Sequence, residues 1–295
     1  MNTVLDMVKE QLPSEPQLSF SRSDIERRIA FPAGRFTSPG PLLAPLMGVI
    51  LTVAFYGAIT LAPESQATTM FTRSPVIPAV IVFLTAWSLM ILLIKGRKLS
   101  LQRKALGLAI LPTEDPGFIL TPNSAEHVLK NLYSNVDDPQ NFFLTRRIHN
   151  ALANLRNVGR IGDVAEVLRT QGETDEGQVD SSYTVLRGFI WAIPVLGFIG
   201  TVLGLSVAMG SFGAVLNNAG EMEQLRGALQ TVVGGLSTAF ETTLQGLVAA
   251  LCIHLFMTMT RRREEQFLDN CKDYCQKYIV GRLRLTELDD RGTTG

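Results

Sequence analysis

Four stretches of the chain are rich in apolar residues and almost free of charge. Residues 42–62 (21 residues), 76–94 (19) and 188–216 (29) contain no charged side chain, and residues 228–259 (32) contain only Glu241. A helix needs about 20 apolar residues to cross the hydrocarbon core of a bilayer. The pattern therefore predicts an all-α, polytopic membrane protein with four transmembrane helices, of which the last two are longer than one crossing requires.

Basic residues are distributed unevenly between these spans. Lys and Arg together number 5 before the first span, 1 in residues 63–75, 12 in residues 95–187, 1 in residues 217–227 and 8 after residue 260. Because Lys and Arg concentrate in cytoplasmic loops, both termini and the long middle segment are predicted to be cytoplasmic, with two short connections outside.

The spans divide the rest of the chain into further segments. Residues 1–41 carry prolines and charges of both signs without the apolar core of a secretory signal, which predicts a flexible cytoplasmic N-terminal segment. Residues 42–94 hold the first two spans. Residues 95–186 have apolar positions at helical spacing, which predicts two to four short cytoplasmic helices, and residues 187–260 hold the last two spans.

Residues 261–295 continue the last span with an amphipathic pattern. After the basic residues that end the apolar stretch, apolar side chains recur at helical spacing. This pattern leaves two alternatives open, a solvated helical tail or a helix packed against the middle segment or a neighbouring subunit. The residues that form the pattern are Phe267, Cys271, Tyr274, Tyr278 and Leu285.

Charge and composition argue against several classes of function. Lys plus Arg and Asp plus Glu both number 27, so no net field attracts nucleic acid. Cys271 and Cys275 have no nearby His or further Cys to complete a zinc site. The sequence also lacks the phosphate-loop, zinc-protease and serine-hydrolase motifs. We therefore predict that the protein is not an enzyme and uses neither a metal nor a cofactor.

The third span has one face that consists almost entirely of small residues. Such faces let helices approach closely in lipid, so helix packing is one interpretation. Pro194, in the cytoplasmic third of the span, removes a backbone hydrogen bond, which predicts either a hinge or a kink. The small residues, spaced at i, i+3, i+4, i+7 and i+11, are Gly197, Gly200, Thr201, Gly204 and Ala208.

The fourth span has a stripe of small and polar residues. Its hydroxyls could bond to the carbonyl four residues back, or the stripe could line a hydrated path opposite the small face of the third span. Glu241 borders the stripe near the expected bilayer centre, where a carboxylate should be neutral, paired or facing water. The stripe consists of Thr231, Gly234, Gly235, Thr238, Thr242, Gln245 and Ala249.

Depth along the two helices predicts a shared site. At 1.5 Å per residue, Thr201 lies about 21 Å from Arg187, and Thr243 lies about 27 Å from Arg261. The two threonines are therefore predicted to face one another midway across the membrane.

Two segments resemble those of the MotA/TolQ/ExbB proton channel family, the ion channels of motors in bacterial inner membranes. They are Ile193-Pro-Val-Leu-Gly-Phe-Ile-Gly-Thr-Val-Leu-Gly204 and Leu236-Ser-Thr-Ala-Phe-Glu-Thr-Thr-Leu-Gln-Gly-Leu-Val-Ala-Ala250. The resemblance covers residues 186–261, and the layout of four spans with both ends inside is similar to that of MotA.

The resemblance implies roles for individual residues and for partners. Pro194 would couple ion passage to cytoplasmic movement, and Thr201 and Thr243 would line the ion path. Glu241 stands where the best-known members have a small or apolar residue. The proton-carrying carboxylate would be an Asp on a separate single-span subunit like MotB, TolR or ExbD, and this chain would form a homopentamer in the lipid bilayer.

These observations favour an ion channel subunit, with protons as the ion, in an inner-membrane motor that converts the ion gradient into movement. One alternative is a non-conducting tetraspan scaffold that recruits cytoplasmic proteins. Another is a membrane enzyme with Glu241 as acid or base, which would need a second catalytic group that the sequence does not show. The predicted ion path consists of Thr201, Thr238, Glu241, Thr242 and Thr243, and the predicted hinge and packing residues are Pro194, Gly197, Gly200, Gly204 and Gly246.

Overall fold

A computed structural model describes residues 18–284 except residues 29–30, 33, 64, 74–75, 109, 112–116, 154, 156–160 and 217–221. Among the described residues, four helices are long and apolar enough to cross a membrane, which confirms the predicted all-α polytopic fold. The elements in chain order are β1 (Leu18–Ser19), α1 (Phe20–Ser23), α2 (Ile25–Arg28), α3 (Leu43–Leu61), α4 (Gln66–Thr72), α5 (Val76–Leu106), α6 (Pro122–Asn135), β2 (Val136–Asp137), α7 (Phe143–Ala153), α8 (Ile161–Ser181), α9 (Thr184–Leu216) and α10 (Met222–Tyr278).

Two of the four long helices extend well beyond their apolar stretches. The sequence predicted that the second span closes at Lys95, but α5 continues to Leu106. The charged residues end the apolar stretch without ending the helix, because Lys and Arg are good helix formers. α10 likewise continues from the fourth span to Tyr278, as the amphipathic pattern predicted.

The contacts divide the chain into two units. The spanning unit contains residues 41–94 and 183–261, and the polar unit contains residues 18–40, 95–182 and 262–284 of the described chain. The helices α5 and α10 contribute residues to both units.

In the polar unit, Leu18, Phe20 and other described residues of the N-terminal segment are packed, although the sequence predicted a flexible segment there. Leu18 pairs with Val136 in the parallel β1–β2 pair, and the rings of Phe20 and Phe142 meet edge to face with centroids 5.5 Å apart. The prolines and mixed charges suggested flexibility, whereas Leu18 and Phe20 are buried. Residues 1–17 of the predicted segment lie outside the described residues.

A buried lysine holds this N-terminal segment against α5. Lys98 Nζ donates to Glu26 Oε2 at 2.5 Å and to the carbonyls of Gly34 and Ser38 at 3.0 and 2.9 Å, and it lies 3.4 Å from Asp24 Oδ2. We call these five residues the Lys98 cage. It explains how a charged side chain that is 2% exposed is accommodated, since two carboxylates and two carbonyls surround it.

The rest of the polar unit is helical. Between α5 and α9, the described chain contains three helices, α6, α7 and α8, which agrees with the predicted two to four. The end of α10 packs against them: the rings of Phe267 and Phe143 lie 6.4 Å apart, and Cys271 and Cys275 are buried. Of the two alternatives for the tail, the structure therefore favours the packed helix. Leu285 lies outside the described residues.

Candidate ion path

The helices α9 and α10 cross the spanning unit side by side and touch through their glycines. A Cβ at Gly204 would lie 2.7 Å from the Gly235 carbonyl oxygen, and a Cβ at Gly235 would lie 2.7 Å from the Gly204 carbonyl oxygen. Carbon atoms do not approach oxygen atoms this closely without strain, so the backbones can meet only because both positions lack a side chain.

The same contact continues along the helix pair in the antiparallel sense. A Cβ at Gly197 would lie 2.9 Å from the Thr242 carbonyl oxygen, and a Cβ at Gly246 would lie 3.0 Å from that of Ile193. At Gly200 a Cβ would overlap the Thr242 side chain. All four glycines named from the sequence as packing residues thus lie at this contact.

Pro194 lies inside α9, which continues without a break on both sides of it. Because proline has no N–H, the carbonyl one turn earlier, at Ile190, lacks its usual helical donor. The described helix therefore retains a weak point at Pro194 while remaining continuous.

The threonine hydroxyls bind the main chain of the helix pair. Thr243 Oγ1 donates toward the carbonyls of Ala239 and Gly197, at 3.2 and 3.3 Å, and Thr242 Oγ1 donates toward that of Thr238 at 3.1 Å. The hydroxyls thus make the local backbone bonds that the sequence analysis left open as one alternative. Thr242 Oγ1 also donates across to the Gly197 carbonyl of α9, at 3.4 Å, so both hydroxyls reach the neighbouring helix.

Exposure separates these threonines into two classes. Thr242 is 1% exposed and sealed within the helix contact. Thr201, Thr238 and Thr243 are partly exposed, and the hydroxyls of Thr201 and Thr238 donate to the carbonyls of Phe198 and Gly234. Because a donating hydroxyl keeps its lone pairs, these three can still accept a hydrogen bond from an ion-path water.

Glu241 is paired, in line with one of the three states that the sequence predicted. Its Oε1 accepts a hydrogen bond from Ser237 Oγ at 2.8 Å and lies 3.4 Å from Arg73 Nη1. Arg73 comes directly before the second span, in the connection that follows α4. Arg73 is the single Lys or Arg residue of residues 63–75. The sequence does not indicate its pairing with Glu241, which is 168 positions away.

The pairing with Arg73 gives a reference point for the position of Glu241 along α10. Twenty residues separate Glu241 from Arg261, about 30 Å of helix, which is the full thickness of the hydrocarbon core. Arg73 also precedes the first residue of α5, Val76. Glu241 therefore lies beside the connection between the first two spans.

A short helix of that connection also contacts α10, and the sequence analysis did not predict it. α4 begins with a capping box in which Ser65 and Thr68 bond each other's backbone N–H groups. The Met70 carbonyl of α4 accepts a hydrogen bond from Gln245 Nε2 at 3.0 Å. The amide of Gln245, one turn from Glu241, thus binds α4 instead of lining a hydrated path as part of the polar stripe of the fourth span.

Comparisons with known proteins agree with this architecture. The sequence model of the MotA/TolQ/ExbB proton channel family matches residues 135–273. Searches of curated proteins and of solved structures each found no significant match. The matched region is longer than the resemblance seen in the sequence, because it also contains α7, α8 and part of the packed end of α10.

The family's members are proton channels that work with MotB-, TolR- or ExbD-like partners in oligomeric complexes. Together with four apolar helices, the match indicates a multi-pass protein of the inner membrane. Residues 135–273, which include α9 and the apolar part of α10, are thus similar to the MotA/TolQ/ExbB proton channel family.

Proposed function

We propose that the chain is the channel subunit of an inner-membrane motor, which uses a proton gradient to drive movement together with a single-span partner. The partner carries the membrane Asp, copies of this chain form a homopentamer around it, and both termini of this chain are cytoplasmic. Each proton that crosses 100 mV releases about 2.3 kcal/mol, so several transfers suffice for a large displacement.

One observation carries the proposal. Partly exposed threonine hydroxyls lie beside the glycine contact at which the backbones of α9 and α10 meet. Thr243 bonds both helices, and Thr201 and Thr238 lie on the same pair. A proton path needs acceptors at fixed positions, and hydroxyls that are already held by the main chain provide them. The carboxylate that takes up the proton comes from the partner.

In this proposal Glu241 acts at the outer mouth of the path. Its pairing with Arg73 and Ser237 keeps a carboxylate at the level of the connection that faces outward. An acidic group at a pore mouth raises the local concentration of cations before they enter. Thr242, which is sealed in the helix contact, has a packing role in place of the predicted path role.

The first experiment establishes the complex. The chain is extracted in mild detergent, and the mass of the intact assembly is determined together with any small subunit. A single-span partner with an Asp in its helix, at a fixed ratio to this chain, supports the proposal. An assembly of this chain alone favours the non-conducting scaffold.

The second experiment measures proton flux in liposomes that contain the chain and its partner. Thr243→Val and Glu241→Gln should reduce flux strongly while the assembly survives, because each removes a polar group from the path. Thr258→Val is the matched control, since the Thr258 hydroxyl also donates to a main-chain carbonyl of α10, that of His254. Undiminished flux in both test variants would show that neither side chain takes part in the proton path.

A further inference from the structure

The polar unit contains a cavity of about 440 Å³ beside a buried arginine. It lies between α7, α8 and α10, and its walls combine apolar side chains with charged groups. The residues that matter for its chemistry are Arg147, Leu168, Gly172, Lys272, Cys275 and Val280.

Arg147 uses only part of its hydrogen-bonding capacity. Its side chain is 2% exposed, and its Nε donates to Asp175 Oδ2 at 2.6 Å. Within the part of the chain that the structure describes, Asp175 is its only hydrogen-bond partner. A guanidinium has four further N–H donors on its terminal nitrogens, and those of Arg147 face the side of the cavity.

Arg147 shares its carboxylate partner with a second cation. Arg146 also donates to Asp175, so two guanidinium groups share one buried carboxylate. The other contacts of Arg146 are neutral, with Gln178 and with the ring of Phe36. Arg147 therefore shares its one buried carboxylate with a second guanidinium, and a buried charge is unfavourable unless it is well paired.

Other charges of the cavity wall limit what could fill it. Lys272 of α10 adds a second cation, while Arg169 is held by Glu166 and Glu173. Glu173 and Glu176 also line the wall and would repel a ligand with several negative charges.

Two neighbouring positions leave open space in front of Arg147 and add no further charge to it. Burial raises the pKa of the Cys275 thiol to about 12, so this side chain is neutral at physiological pH. A Cβ at Gly172 would lie 3.8 Å from Arg147 Nη2, and a larger side chain there would fill the space before the guanidinium.

We propose that this cavity binds a small organic anion with a single charge. Its carboxylate accepts hydrogen bonds from the terminal nitrogens of Arg147 and pairs with Lys272. Its short apolar part lies against Leu168 and Val280. The cavity residues belong to the polar unit, whereas the threonines of the ion path belong to the spanning unit.

Isothermal titration calorimetry on the full chain in detergent tests the proposal, with hexanoate as the probe. Hexanoate should bind saturably, and hexanol, which has the same apolar part without the charge, should not. Inorganic phosphate is the second probe and should bind more weakly, because it carries more than one charge on average at neutral pH and has no apolar part. Phosphate binding without hexanoate binding would contradict the proposal. Arg147→Gln should weaken binding about tenfold or more, since hydrogen bonds to charged groups are strong.

A pair of glycine variants keeps the test valid even if Arg147→Gln fails to fold. Gly172→Leu fills the cavity and should abolish binding, whereas Gly177→Leu, on the same helix with nothing within 4 Å, should retain it. The proposal is overturned if neither anion binds, if hexanol binds as well as hexanoate, or if Gly172→Leu leaves binding unchanged while folded.

Discussion

The helix contact of the spanning unit and the Lys98 cage of the polar unit solve the same problem in opposite ways. At Gly204 and Gly235 the chain joins two helices by removing side chains, so that the backbones touch. At Lys98 the chain joins α5 to the N-terminal segment by burying one long cation between the carboxylates of Asp24 and Glu26. Removing a side chain makes a contact that tolerates no addition, whereas burying a charge makes one that tolerates no loss.

The largest effect is expected from Lys98→Met, because it leaves Asp24 and Glu26 buried without their cation. Breaking a buried ion pair by removing one partner typically costs about 3–5 kcal/mol. We expect a loss of that order in the free energy of unfolding, measured by denaturant titration in mixed micelles. Lys104→Met, which removes an exposed lysine from the same helix, should be nearly neutral; equal losses in the two variants would show that the cage does not hold the N-terminal segment.

The next effect is expected from Gly235→Ala, which adds a single carbon to the helix contact. The new Cβ would lie 2.7 Å from the Gly204 carbonyl oxygen and 2.9 Å from the Ala208 Cβ, so the helices must separate. Overpacking of this kind costs about 1–3 kcal/mol. The yield and thermal midpoint of the extracted protein should both fall.

Gly234→Ala is the matched control for that substitution. A Cβ at Gly234 meets nothing within 4 Å, and alanine favours a helix over glycine by about 1 kcal/mol. The two neighbouring glycines should therefore respond with opposite signs. A stabilising Gly235→Ala would mean that the backbones do not touch at that position.

The same contrast explains how much the sequence could predict. The small residues of α9 recur at helical spacing within a single helix. Gly197, Gly200 and Gly204 could therefore be assigned to a helix contact from the sequence alone. The apolar stretches gave the four spans in the same way. These features are local, because the pattern of small or apolar residues is visible within each helix separately.

The cage and the Glu241 pair were not predictable because their partners are distant in sequence. Glu26 lies 72 positions from Lys98, in a segment whose prolines indicated flexibility, and Arg73 lies 168 positions from Glu241. In both cases the partner can be identified only from the tertiary structure.

A smaller effect, confined to the polar unit, is expected at alkaline pH. Burial raises the pKa of Cys275 from 9.0 to about 12. The unfolded chain therefore loses the thiol proton at lower pH than the folded chain, and folding stability falls as pH rises from about 9 to 12. The slope contributed by one such group is at most about 1.4 kcal/mol per pH unit.

Thermal midpoints recorded between pH 8 and pH 10.5 check this expectation. The Cys275→Ala variant should lose less stability over this range than the unsubstituted protein. Cys252→Ala, which removes the exposed thiol of the spanning unit, should follow the unsubstituted protein. Identical pH curves for all three would show that the Cys275 thiol is not held protonated by the fold.

The smallest effect on stability is expected from the pair of Arg73 and Glu241, whose side chains are 45% and 15% exposed. A double-mutant cycle with Arg73→Gln and Glu241→Gln should give a coupling energy between about 0 and 1 kcal/mol, because solvent screens such pairs. Flux is the more informative measurement. If Glu241 acts at the mouth of the path, Glu241→Gln reduces flux whether or not Arg73 is present, and Arg73→Gln alone has little effect. If the pair serves only to hold α4 against α10, the two single variants and the double variant should change flux equally, and Glu241 would belong with the packing residues.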